Sequence, residues 1–158
     1  MEAASPARLY AAAVGALLVA LGIAGFFYSA SFGAPGEVEA ALGALRVNAW
    51  LNLLHLATGL LGLLAAGVAS RRYALLVGGL YTVLAVWGFA LDPGAAVLGF
   101  LPASGGDDTL HLVLGLLGLA AAAATPKPAS RGSLVRNRRT QEPRDRSEAR
   151  AQAAGEGA

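Results

Sequence analysis

Two histidines carry most of the chemistry that this 158-residue chain offers, because imidazole can pass a proton near neutral pH or ligate a metal. His55 follows Asn48 and Asn52, and His111 follows Asp107 and Asp108, at steps of three and four residues. On a helix that spacing puts each set on one face. Three kinds of chemistry suit the cluster. In the first, Asn or Asp one turn away hydrogen-bonds each imidazole, and the group is a structural clamp. In the second, His55 and His111 are the axial ligands of a haem b in a small membrane redox protein. In the third, the histidines and Asp108 relay protons in a small transporter or proton-coupled carrier. The structural reading is favoured, since satisfied polar residues are ordinary packing devices at helix seams in lipid. It carries the expectation of no resident metal: copper or zinc needs more ligands than two histidines supply, with Asp108 the evident third. Asp108 also directly precedes an apolar run and reads as the N-cap of that helix.

Other reaction classes find little support. Cysteine is absent, which removes disulfides, thiol nucleophiles and Cys-ligated zinc or iron–sulfur clusters. No Ser-His-Asp arrangement with an evident nucleophile is visible, and the glycines do not form a phosphate loop after a strand. No catalytic residue is assigned, and a non-enzymatic scaffold, sensor or assembly partner is expected.

The elements that hold the histidines are membrane spans. Hydrophobic residues make up 56% of the chain and charged ones only 14%, a balance that a soluble domain of this size could not bury. Apolar runs over about 9–28, 47–69, 73–91 and 109–124 reach or approach the length that crosses roughly 30 Å of hydrocarbon. The first run is longer than the apolar core of a secretory signal and is read as a helix. Ser70, Arg71 and Arg72 alone separate the second and third runs, which forces an antiparallel hairpin. Tyr10, Tyr28, Trp50 and Tyr73 fall near span ends, where amphipathic rings favour the interface.

Arg8, the Arg71-Arg72 turn and the basic residues from Lys127 onward fall on one side, and only Arg46 falls on the other. The positive-inside rule then places both termini in the cytoplasm. Glu37, Glu39, Asp92, Asp107 and Asp108 share the outer side with Arg46 but count little in that rule. Residues 125–158 combine Pro, Arg, Ser, Gln, Glu and Ala with few large apolar side chains, and read as a disordered basic cytoplasmic tail. Its arginines would be attracted to anionic lipid at about 1 kcal/mol each near the surface. A nucleic-acid partner has only this tail to stand on and is not expected; a homo-oligomer is left open.

The chain is also internally duplicated. A shift of 56 residues superposes the two histidines. The same shift lays Leu42-Gly43-Ala44-Leu45 on Leu98-Gly99-Phe100-Leu101, and Gly59, Gly62 and Leu63 on Gly115, Gly118 and Leu119. At a slightly different spacing, Val14-Gly15 and Gly25-Phe26 match Val77-Gly78 and Gly88-Phe89. The fold class expected is an all-α membrane protein of four transmembrane helices, built as two similar two-helix units around a pseudo-twofold axis along the membrane normal. Asn48, Asn52, His55, Gly59, Gly62, Ala66 and Ala69 form one stripe on the second helix, and Asp107, Asp108, His111, Gly115, Gly118 and Ala122 repeat it on the fourth. Small residues let backbones approach, so Gly59, Gly62, Gly115 and Gly118 are expected at the helix seams.

Val47-Asn48, Asn52-Leu-Leu-His55 with Gly59 and Gly62, Arg72-Tyr73, Gly79-Leu-Tyr81 and Asp107-Asp108-Thr-Leu-His111 together resemble the bacterial four-helix membrane family known as domain of unknown function 4383. The similarity covers roughly residues 8 to 122. It implies a multi-pass integral protein of the bacterial inner (plasma) membrane and brings no activity, substrate or cofactor with it. The family pattern often sets a polar residue beside Asn52, and Leu51 departs from it. Cysteines introduced beside Arg71 and near Arg138 are expected to react with an impermeant reagent from the same face of the membrane. Labelling from opposite faces of intact cells would overturn the topology.

Overall fold

The computed structural model describes residues 4–33, 40–92 and 94–126. Four helices dominate: α1 (Pro6–Tyr28), α2 (Ala49–Val68), α3 (Ser70–Ala90) and α4 (Gly105–Ala124), each long and apolar enough to cross a membrane. Large apolar side chains such as Phe27, Leu64, Val68 and Leu76 point outward and are exposed. The interior combines apolar side chains such as Leu18, Leu51, Tyr81 and Leu114 with small residues and buried polar groups, which interhelical hydrogen bonding in lipid accommodates. The tail beyond residue 126, and Glu37 and Glu39, lie outside the described residues.

Each helix boundary has a local cause. Ser5 caps α1 by accepting from the Arg8 amide, with Pro6 in the first turn, where its missing N–H costs nothing. Asn48, expected inside the second span, is the N-cap of α2 and accepts from the Leu51 amide. Ser70, Arg71 and Arg72 do not form a linker; they are the first turn of α3, and Ala69 alone separates it from α2. The expected start of the fourth helix at Asp108 is also corrected. Ser104 is the N-cap, accepting from the Asp107 amide, and the helix runs from Gly105. The apolar run hid this because Gly105 and Gly106 are poor helix formers, yet the Ala44 carbonyl presses on Gly106 where a side chain would stand.

Each unit closes with a short β-hairpin not anticipated from the sequence. In the first, β1 (Ala40–Leu42) pairs antiparallel with β2 (Leu45–Val47), and in the second β3 (Ala96–Val97) pairs with β4 (Leu101–Pro102). Gly43 and Gly99 take the left-handed conformation at corresponding turns, φ +64° and +79°. The 56-residue shift seen in the sequence is thus a repeat in space as well.

The main packing is within each unit, α1 on α2 and α3 on α4, with lesser contacts between the units. The glycines set it. A Cβ on Gly15 would stand 2.9 to 3.2 Å from the backbone of Gly59, Gly62 and Leu63, and one on Gly78 would meet Gly115, Gly118 and Leu119 at 2.8 to 3.0 Å. Gly59 and Gly115 therefore pack inside their own unit, while Gly62 and Gly118 also meet a tyrosine of the other unit.

At the end of the bundle near the α2–α3 turn, Thr125 gathers three elements. Its hydroxyl accepts from the Ala7 amide at 2.9 Å, and its carbonyl accepts from Arg71 Nε at 3.1 Å. The start of α1, the turn and the end of α4 so meet at one end, and both hairpins lie at the other. Gly15→Ala is expected to destabilise the bundle by about 1–3 kcal/mol, because only backbone could yield. Gly67→Ala, in open space, is expected to be neutral within about 0.5 kcal/mol. Unfolding by graded sodium dodecyl sulfate in mixed micelles measures both.

Candidate functional site

The polar residues singled out in the sequence do converge inside the hairpin half of the bundle. Asn48, Asn52, His55, Asp107, Asp108 and His111 are all buried. Their partners differ from those expected. His55 and His111 face each other across the pseudo-twofold axis, Nε2 to Nε2 at 3.4 Å with the rings at 70°. One nitrogen must donate and the other accept, so the pair needs a proton on one Nε2 and a lone pair on the other. Asn52 does not reach either ring: its amide donates to the Ser29 carbonyl at 2.9 Å, tying α2 to the end of α1. Asp108 does not reach them either and lies against Gly88. The expected clamp from Asn or Asp to imidazole is replaced by imidazole to imidazole.

Tyr81 completes the centre. Its ring lies nearly parallel to His55, centroids 6.2 Å apart, and edge-on to His111 at 5.0 Å. Its hydroxyl shares a hydrogen bond with the Thr58 hydroxyl at 2.9 Å, and Thr58 donates back to the Leu54 carbonyl at 2.6 Å. Leu18 of the first unit holds the place of Tyr81 in the repeat, and Leu114 of the second holds the place of Thr58. The twofold is therefore broken at its centre by one polar pair.

Nearer the turn end, two tyrosines lock the units together. Tyr10 on α1 donates to the Leu114 carbonyl of α4 at 2.9 Å, and Tyr73 on α3 donates to the Thr58 carbonyl of α2 at 3.0 Å. Each accepting carbonyl lies four residues before a glycine, Gly118 and Gly62, and each hydroxyl stands where that glycine's Cβ would be, 2.7 and 2.6 Å away. Only glycine leaves the carbonyl open to a second donor. Both rings are buried, which corrects their reading as interfacial residues. The signal was present in the sequence, since Tyr10 and Tyr73 stand at the same spacing as Gly15 and Gly78. Trp50, by contrast, is partly exposed beside Phe32 and Phe100 at the hairpin end, as an interfacial ring would be.

Asn48 and Asp107 are braces between hairpins. Asn48 Nδ2 donates to the Phe100 carbonyl at 2.7 Å, and Asp107 Oδ2 accepts from the Arg46 amide at 2.9 Å and the Ser104 hydroxyl at 2.6 Å. Each joins the first unit to the second.

A haem ligated by both histidines would have to lie between them, with one nitrogen on each face of the macrocycle. In this packing the two Nε2 atoms are 3.4 Å apart and the Tyr81 ring lies against both imidazoles. No cluster of three or more His, Asp or Glu side chains suited to a metal ion forms among the described residues.

Four membrane-length helices in two pseudo-symmetric units, joined by buried tyrosine and histidine pairs, define a small multi-pass membrane protein. The chain belongs to the family described as Domain of unknown function (DUF4383), whose model matches residues 8–124. No curated protein and no solved structure matches it. Replacing His55 alone by Leu leaves a buried imidazole without its partner and is expected to cost about 1–3 kcal/mol. Replacing both histidines by Leu is expected to cost less than the sum of the two single changes, as a double-mutant cycle in micelles would record.

Proposed function

We propose that this is a non-enzymatic protein of the bacterial plasma membrane, a scaffold, sensor or assembly partner, in which the histidine pair is a structural clasp. The observation that carries the reading is the 3.4 Å contact between His55 and His111 Nε2. A buried imidazole nitrogen needs a partner, and each Nε2 supplies the other's. Asn48 Nδ2, Asn52 Nδ2 and Asp107 Oδ2 likewise bond to the backbone of neighbouring elements.

The orientation proposed has the turn end in the cytoplasm, with Arg8, Arg71 and Arg72, and the hairpin end outside. Supporting it is the meeting of the α1 start, the α2–α3 turn and the α4 end at Thr125, which puts these arginine-bearing segments on one side. The basic residues beyond Lys127 would then face anionic lipid on the inner leaflet.

The proposal is tested on protein purified from haem-replete cells. The wild type is expected to be colourless, and a His55→Gln, His111→Gln double variant to remain folded and to complement a deletion as the wild type does. A Soret band that the double variant loses would overturn the proposal in favour of a haem-binding redox protein.

A further inference from the structure

The two units differ at one buried position in a way that packing does not account for. Asn52 and Asp108 hold the same place in the repeat, each with its Oδ1 against a glycine of the preceding helix, Gly25 and Gly88. In the first unit the Asn52 amide donates to the Ser29 carbonyl. In the second, Asp92 stands where Ser29 does, but an ionised carboxylate only accepts, so the bond cannot be copied. Among the described residues the Asp108 side chain makes no hydrogen bond, although the residue is only 4% exposed. Its oxygens lack a donor.

They face a space that could hold one. A cleft of about 360 Å³ opens at the hairpin end between α3, α4 and β2, lined by Asp108, Asp92 and Arg46 and by apolar Phe89, Leu91 and Ala103. That volume lies within the range of small-molecule sites. It is far larger than a bare ion needs, and two carboxylates are fewer oxygens than calcium takes. Two carboxylates against one guanidinium favour a positively charged guest, and the apolar wall suits a short hydrocarbon body.

We propose that this cleft binds a small organic ammonium compound, whose N–H groups donate to Asp108 and Asp92 while its alkyl part lies on Phe89, Leu91 and Ala103. The site is distinct from the histidine clasp and does not depend on whether that clasp is structural. Asp108→Asn supplies the donor that Asn52 supplies in the first unit, so this variant keeps its fold.

Thermal unfolding of the full chain in micelles tests the site, with 1,4-diaminobutane and n-butylamine as probes and n-butanol as the uncharged control, at fixed pH and ionic strength. The amines are expected to raise the melting temperature saturably and the alcohol not to. Asp108→Asn is expected to weaken the amine response roughly tenfold or more, with a ligand-free melting temperature at or above that of the wild type. Asp92→Asn, at an exposed position that does not threaten folding, is expected to weaken it less. Absence of a saturable amine effect on the wild type, an equal effect of the alcohol, or an undiminished response in both variants would overturn the proposal.

Discussion

Everything in this bundle depends on how closely two backbones can come together where apolar burial gives no net attraction. Lipid tails are as apolar as leucine, so helices gain from contact only through dispersion at short range and through hydrogen bonds made out of reach of water. Gly15 against Gly59 and Gly62, and Gly78 against Gly115 and Gly118, provide the short range. The same closeness brings side chains within reach of carbonyls that a longer separation would leave covered. Tyr10 and Tyr73 exploit it, and the cross-unit locks are a product of the glycine seam.

The polar groups then divide into layers along the bundle axis. Tyrosine hydroxyls on backbone carbonyls hold the turn half, the imidazole pair with Tyr81 and Thr58 holds the middle, and Asn52, Asn48 and Asp107 tie the hairpin half. Each layer joins elements that the glycines alone would not fix in register. Because an unsatisfied polar group is costly in lipid, such bonds specify which helix faces which more than they add stability.

The spans and the duplication were legible in the sequence because they rest on properties that do not need a partner to be seen: apolar length, and the recurrence of rare residues such as His55 and His111. The hairpins were not, since Leu42-Gly43-Ala44-Leu45 recurs as a repeat but is too short to carry a strand pattern. Partner choice was the other gap. Asn52 one turn from His55 looked like its hydrogen-bond partner, but on a helix the neighbour along a face is not always the neighbour across the seam, and Ser29 claimed the amide. Tyr10 and Tyr73 were misplaced for a related reason. A tyrosine near a span end suits an interface equally well, and only the glycine four residues beyond a facing carbonyl, on another helix, marks it as inward.

The tyrosine locks have a bearing on ancestry. Residue for residue they are reciprocal: the first unit gives Tyr10 to the second, and the second gives Tyr73 to the equivalent carbonyl of the first. That is the pattern of an isologous contact, in which a patch recognises its own copy. A lone helical hairpin bearing Tyr, Gly and His at these places would meet a twin through the same bonds, with one imidazole from each on the dyad. Joining two such copies through Ala69 removes the requirement that both be identical. Leu18 opposite Tyr81, and Asn52 opposite Asp108, are the divergences which that freedom allows.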